Sequence, residues 1–380
     1  MKRLAWLKWT IVAISIFFIS FVGAHAAEEN SLYENQVAVI VYHHISDESG
    51  DVTITKKLLG KQLRDLSSRG YHFISLHQFK AFLGGAAVPP NAVLVTFDDG
   101  YRSFYTEAYP ILSKRRIPAV NFVITKDLDQ PLLALIPALS RDEIKQMTKE
   151  TDGMDFQCHT DRLHNRTEQG GPLLTTKLMI GDQLETDENY NQRIKKDTNM
   201  CISRLRELYK GPVDTLAYPF GSFNLSSIKL LQDAGVSYGF TTISEMVTRD
   251  TNPMQIPRIN AGSPFVQFNS LNNLIMQKIV TPLAPTDPVS LKNAVKQLGG
   301  TLTKSDDQLQ IQFEGQIWKI SKHGMEIKRD ESSFLLLHEP LVYKNKEIYM
   351  QLQDLEAILG FQIVYNANTN QYFRRYTPKV

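Results

Sequence analysis

The sequence predicts an α/β fold in which parallel strands close, or nearly close, into a barrel, followed by a small α+β module. Three observations carry this. Apolar, β-branched runs alternate with amphipathic helical stretches from residue 37 to about 260, and that alternation argues for parallel βαβ units. Six or seven such strands over about 225 residues are most economically closed into a barrel, with an open doubly wound sheet as the alternative. The composition then changes near residue 280, where Thr281-Pro-Leu-Ala-Pro-Thr-Asp-Pro288 reads as a linker.

Residues 1–26 stand outside this fold. Lys2, Arg3 and Lys8 precede an uncharged apolar run from Thr10 to Val22, and Ala24-His25-Ala26 is a small-x-small site. The pattern is that of a secretory signal peptide cleaved before Ala27. An uncleaved membrane anchor is the alternative, against which the run is short for a full span. Either way the body of the chain is expected outside the cytoplasm, secreted or on the cell envelope.

Val37 to Ile45 is a buried strand running into Tyr42-His43-His44, and Leu58, Leu59, Leu63 and Leu66 mark the inner face of the next helix, stopped by Gly70. Ile74 to Leu76 and a short helix from His77 to Leu83 lead through Gly84-Gly85 and Pro89-Pro90 to the strand Ala92 to Phe97. That strand ends on Asp98-Asp99-Gly100, and Arg102 to Arg115 reads as a helix closed by Ile117-Pro118. Ala119 to Thr125 and Asp155 to Thr160 are further strands. A long helix near 189–210 precedes Thr215 to Phe220, Ser226 to Ala234 is a helix, and Ser237 to Thr242 and Gln255 to Ile259 close the series. The barrel region is set at 35–265, the linker at 266–288 and the module at 289–380. Within the module, Leu298-Gly299 and Leu359-Gly360 sit in two similar helix-then-strand halves.

Composition excludes some functions. Without Lys2, Arg3 and Lys8 the chain has 39 basic against 40 acidic residues, a balance of −1, so nothing electrostatic favours nucleic acid. No glycine-rich loop follows any strand, which argues against a nucleotide cofactor. The two cysteines, Cys158 and Cys201, are too few for a disulfide scaffold. Cys201 falls in the inner stripe Ile194, Thr198, Cys201, Leu205, Leu208 and reads as a core residue, while a Cys158–Cys201 bridge stays open.

The chemistry lies at strand ends. Two acids at the carboxyl end of a buried strand sit where α/β folds place their sites, although an Asp-Gly turn alone would look the same. His159 and His164 follow another strand; on a helix they would point about 140° apart, so they meet one ion only across a bent loop. In a barrel all these ends share one face. Two imidazoles and a carboxylate with an open position make a catalytic divalent-metal site, leaving the second acid as a base toward water. Glycoside hydrolysis, which needs separated carboxylates, fits adjacent acids poorly, though Asp155 or Glu245 could be a distant partner.

These residues resemble the polysaccharide deacetylases (NodB-homology, carbohydrate esterase family 4) over about 37–262. Thr96-Phe-Asp-Asp-Gly100 is similar to that family's first motif, His159-Thr160…His164 to its second and Ala217-Tyr-Pro-Phe-Gly221 to its third. The resemblance implies a distorted (β/α)7 barrel, with Asp98 as general base and Asp99, His159 and His164 as ligands of zinc, cobalt or nickel. It implies the Tyr218 backbone N–H as oxyanion donor, and Tyr218, Pro219 and Phe220 as a wall of the substrate groove. The implied activity is removal of N-acetyl groups from a polysaccharide of the exopolysaccharide or cell-wall type. Three departures stand out. The histidines are five apart, as in the branch acting on poly-N-acetylglucosamine, where much of the family has four. Ala217 stands where many members have an arginine that braces the base. The late histidine motif that supplies the acid is replaced by Pro257-Arg258-Ile259, so His43, also placed at the substrate, or His44 becomes the candidate acid. Lost acid function would instead leave a weak or inactive glycan-binding protein. The module resembles stalk-like repeats named after the amino-terminal domain of copper amine oxidases, with no copper site, and is expected to bind glycan or cell wall or to act as a spacer.

Overall fold

The computed structural model describes residues 31–48, 50–305, 307–321, 325–329 and 333–375; the expected signal peptide lies outside them. The barrel is built from β1 (Gln36–Tyr42), α1 (Lys56–Ser68), β2 (His72–Phe73), α2 (Leu76–Leu83), β3 (Ala92–Phe97), α3 (Tyr109–Arg115), β4 (Ala119–Val123), α4 (Arg141–Glu150) and β5 (Met154–Cys158). It continues with α5 (Asp187–Arg206), β6 (Thr215–Ala217), α6 (Leu225–Asp233), β7 (Tyr238–Phe240), β8 (Val247–Thr248), β9 (Ile259–Asn260) and α7 (Phe268–Met276). Among the described residues no helix is long and apolar enough to cross a membrane.

The parallel strands run in the order β7-β6-β5-β4-β3-β1. One segment closes the ring. Ile256 bridges Phe240 of β7, and three residues on Ile259 pairs Ile40 of β1, both in parallel. Residues 256–260 therefore act as the seventh stave, in agreement with the barrel expectation and against the open sheet. Alternation along the strands sorts the side chains. Val39, Leu94, Val120, Phe122, Ala217 and Phe240 fill the inner cluster, which Phe79 and Phe82 of α2 also join. Val93, Val95, Phe97 and Phe156 pack outward under Leu59, Leu63, Leu112 and Leu205 of the helices.

Local sequence explains most boundaries. Ser75 caps α2: its hydroxyl accepts from the Gln78 N–H while the Gln78 side chain accepts from the Ser75 N–H, a capping box. The strand there is only His72–Phe73. The helix expected from Arg102 opens as a wide turn over Phe104–Ala108 before α3 and ends at Arg116 in the left-handed region (φ 54°). Thr215 to Phe220 is shorter than expected, because Pro219–Gly221 forms a 3-10 turn. The stretch expected as a linker from 266 begins as α7, whose Leu271 and Ile275 are buried.

Cys158 and Cys201 form a disulfide, with their Cα atoms 6.0 Å apart. This corrects the reading of Cys201 as a simple core residue. Its place on the inner stripe of α5 is what brings it against β5.

The C-terminal part has a core of its own that includes Leu291, Val295, Ile311, Ile320, Leu355 and Ile358. Its elements are β10 (Pro288–Ser290), α8 (Leu291–Gln297), β11 (Thr301–Lys304), β12 (Gln308–Phe313), β13 (Gln316–Ser321), β14 (Glu326–Arg329) and β15 (Ser333–Leu336). They are followed by β16 (Val342–Lys344), β17 (Glu347–Gln351), α9 (Leu352–Leu359), β18 (Ile363–Asn366) and β19 (Gln371–Arg374). Each half starts with a strand and helix, and the two leading strands, β10 and β17, pair antiparallel. The Gln36 side chain at the start of β1 bonds both the N–H and the C=O of Val280 (2.8 and 2.7 Å), and the Asn366 amide donates to Met276 O (2.7 Å). The C-terminal part is thus seated where the barrel strands begin, at the end away from Asp98.

Candidate active site and metal centre

On a strand, adjacent side chains point to opposite faces. Leu94 and Thr96 of β3 face inward: Leu94 joins the inner cluster and the Thr96 hydroxyl bonds Ile40 O at 2.9 Å. Asp98 continues that inner face. Asp99 would point outward, but its backbone is left-handed (φ 71°), a conformation aspartate tolerates better than most residues. Both carboxylates therefore turn to the same centre. Gly100 follows at φ 67°, where a Cβ would lie 3.0 Å from Val123; only glycine fits that approach.

His159 leaves β5 facing inward, opposite to Cys158, which is bonded to α5. Its Nδ1–H donates to Ala217 O at 2.8 Å, which leaves Nε2 as the free donor atom. Thr160 then turns left-handed (φ 70°), bending the segment so that His164 returns to the same point. The Nε2 atoms of His159 and His164 lie 3.3 and 3.2 Å from Asp99 Oδ1. That oxygen is buried and has no hydrogen-bond donor. An unpaired buried carboxylate oxygen facing two imidazole nitrogens fits a divalent cation and would be costly without one. Burial, with the neighbouring His159 ring, lowers the His164 imidazole to about 4, so it is neutral and able to bind a metal at physiological pH. Burial opposes ionisation of Asp99, and the three histidines around it overcome that and hold it well below its ordinary range.

Asp98 has a different partner. Arg258, fully buried in the closing segment, grips both its oxygens at 2.7 and 2.8 Å. Burial works against the charged form; the guanidinium prevails and leaves the carboxyl below its ordinary value. The bidentate geometry fixes the orientation as well as the charge. The bracing arginine expected at position 217 is thus supplied from the seventh stave. A lone arginine between Ile256-Pro257 and Ile259 was the available signal, since a buried arginine requires an acid partner.

Of the two histidines of the first strand, His43 reaches the centre. Its Nε2 lies 3.9 Å from Asp98 Oδ2 and its Nδ1 is buried without a partner. His44 is turned aside, with Nδ1 2.9 Å from Ser103 Oγ and its ring against Tyr101. Tyr101, which sequence reasoning did not single out, stands beside Asp99, and burial with that charge raises its hydroxyl pKa.

The third motif requires a correction. The Tyr218 N–H donates to Phe240 O at 2.9 Å and its hydroxyl to Met254 O at 2.8 Å, and the side chain is buried. The N–H is spent in the sheet and the ring in the core, so neither serves as an oxyanion donor or a groove wall here. Pro219 is buried too. Phe220 is 42% exposed, with a left-handed backbone (φ 58°). Its ring lies 4.8 Å from that of His164 and carries the Arg166 guanidinium at 4.2 Å.

The polysaccharide deacetylase family model matches residues 85–239. A poly-beta-1,6-N-acetyl-D-glucosamine N-deacetylase of Staphylococcus aureus (strain N315) is 30% identical over 220 residues, 58% of this chain and 71% of that protein. The chain belongs to the polysaccharide deacetylase family. A Staphylococcus epidermidis deacetylase of the same description is 28% identical over 259 residues, covering 63% of this chain and 85% of the relative. Among solved structures, the IcaB protein of Ammonifex degensii superposes with a TM-score of 0.55 at 25% identity, over 63% of this chain and 97% of that one. A de-N-acetylase from Aggregatibacter actinomycetemcomitans gives 0.58 at 22% identity, over 63% and 100%; this likeness is one of fold.

Proposed function

We propose that this protein is a secreted, divalent-metal-dependent hydrolase that removes N-acetyl groups from a poly-β-1,6-N-acetylglucosamine-type polysaccharide. The observation that carries the reading is the division of labour between adjacent acids: Asp99 faces two imidazoles and Asp98 faces an arginine. The names of the staphylococcal relatives support the substrate, and the amino-terminal leader supports secretion.

Asp99, His159 and His164 would hold zinc, cobalt or nickel. When bound, such an ion supplies a Lewis acid that polarises the acetamide carbonyl and acidifies water. Asp98, ionised and oriented by Arg258, takes a proton from the attacking water. The oxygen of that water bonds to the acetamide carbon, the carbon–nitrogen bond breaks, and acetate leaves. His43, 3.9 Å from Asp98 on the open side, gives the sugar nitrogen the proton it needs to depart as an amine. Phe220 and Arg166 form the wall of the groove beside His164.

The test is acetate release, with mass spectrometry of the glycan, from poly-β-1,6-N-acetylglucosamine, chitin oligomers and peptidoglycan, with the metal supplied. Release from the first and its loss in Asp98→Asn are expected. Glycan binding without acetate release from any of the three would overturn the reading in favour of an inactive glycan-binding protein.

A further inference from the structure

Two side chains of α5 take hold of the histidine-bearing segment, and the proposed chemistry uses neither. Asp197 and Cys201 are four residues apart, on one face of the helix. Cys201 is bonded to Cys158, the residue immediately before His159. The Asp197 carboxylate accepts two consecutive backbone N–H groups, that of Asp161 at 2.9 Å and that of Arg162 at 2.6 Å. These lie midway between His159 and His164.

Those two N–H groups need an outside acceptor. The left-handed turn at Thr160 takes the chain off the β5 ladder, and no helix follows to accept them. Asp197 is buried, and a buried acid inside a helix is unfavourable unless its charge is used. The far side of the turn is held as well: the Thr125 N–H donates to Thr160 O and the Thr125 hydroxyl to Asp161 Oδ1 at 2.8 Å. The segment is thus clamped covalently at its start and electrostatically at its middle by successive turns of one helix.

We propose that Cys201 and Asp197 are positioning residues which fold the five-residue interval so that His159 and His164 meet at one cation. This rests on reading Asp99, His159 and His164 as the metal centre. A helix cannot bring histidines at this spacing to one face, so the shape must be imposed from outside the segment, and α5 is the element that imposes it.

The test uses the full chain, stripped of metal and titrated with Zn²⁺ against a chromophoric chelator, with thermal unfolding and the visible spectrum of the Co²⁺ form as parallel readouts. Asp197→Ala and the double variant Cys158→Ala/Cys201→Ala are expected to weaken Zn²⁺ binding about 10–100-fold, the scale set by groups that orient metal ligands. They should also change the Co²⁺ absorption bands. Asp197→Asn, which keeps one oxygen acceptor and the side-chain shape, should fall in between, and it decides the matter if the alanine variant does not fold. Leu205→Ala, a core truncation on the same helix, should lower the unfolding temperature and leave Zn²⁺ affinity unchanged. Wild-type affinity in the Asp197 and cysteine variants, whatever their unfolding temperatures, overturns the proposal. Failure of the wild-type chain itself to bind Zn²⁺ or Co²⁺ would instead overturn the metal-centre reading on which it rests.

Discussion

The strand ends of the barrel site and the hairpins of the C-terminal part use the same uncommon backbone conformation for opposite purposes. In the C-terminal part, left-handed non-glycine residues are Glu314, Asn345, Lys346 and Asn370, all in the exposed turns of antiparallel hairpins. There the positive φ matches the twist of the paired strands and reverses the chain. In the barrel, Asn35 and Asn91 are left-handed just before β1 and β3 and Arg116 at the end of α3, whereas Asp99, Thr160 and Phe220 are left-handed at the Asp-His-His cluster. None of these last three reverses a hairpin. Each redirects a side chain that regular strand geometry would send elsewhere, at a cost of about 1–3 kcal/mol that surrounding packing must offset. In the hairpins such strain is turn chemistry; at these three positions it assembles a site.

The buried acids show the same contrast. Asp354 of α9 accepts the His338 backbone N–H at 3.2 Å and lies 2.5 Å from its ring, which fastens a loop. Asp98 is fastened by Arg258 but keeps an edge toward His43. The largest expected effect therefore falls on Asp98. Asp98→Asn should cut acetate release by about 10²–10⁴-fold, the usual worth of a positioned base, while Zn²⁺ affinity is retained, because Asp98 faces the arginine and not the cluster. Equal loss of metal binding would mean that the two acids do not divide the work.

Arg258→Met comes next. It strands a buried carboxylate, so a stability loss of about 3–5 kcal/mol is expected in denaturant unfolding. The sign with pH follows from the direction of the shift. Asp98 is held below its ordinary value in the fold, so its pairing contributes stability above that ordinary value and loses it as pH falls through the folded one. Without Arg258 the strongest opposition to burial is lost, with only the His159 and His43 rings left to favour the charged form, and the carboxyl pKa rises. The acid limb of the pH–rate profile should then move to higher pH; an unmoved limb would show that Asp98 is not the titrating base.

The two histidines of the first strand allow a finer comparison. His43→Ala is expected to slow acetate release by about 10²-fold, with little effect from His44→Ala, whose ring is occupied by Ser103 and Tyr101. The reverse order would move the acid role to His44. The smallest effects test the backbone contrast directly. Lys346→Gly should stabilise the chain by roughly 1 kcal/mol by relieving a left-handed residue, with acetate release unchanged. Phe220→Gly relieves the same strain but removes the ring packed on His164, so KM should rise about tenfold, equivalent to about 1.4 kcal/mol.

Much was legible in the residues alone. The alternation of apolar strands and amphipathic helices pointed to a parallel α/β sheet, because burial on both faces of such a sheet demands that pattern, and the pairings of Ile256 and Ile259 decided for the barrel over the open sheet. The strand-end positions of Asp98, Asp99, His159 and His164 marked one face as the place for chemistry, since strand ends in a barrel converge. What period-2 and period-3.6 patterns could not carry was left to tertiary structure. Arg258 is some 160 residues from Asp98 along the chain and meets it only because residues 256–260 close the ring. The Tyr218 N–H looked free in a motif and is consumed by Phe240, a partner chosen by strand register. Cys201 looked like one more apolar residue of a helix stripe until β5 was placed against it. Local pattern determines which way a side chain faces, whereas its partner is decided by long-range closure of the sheet.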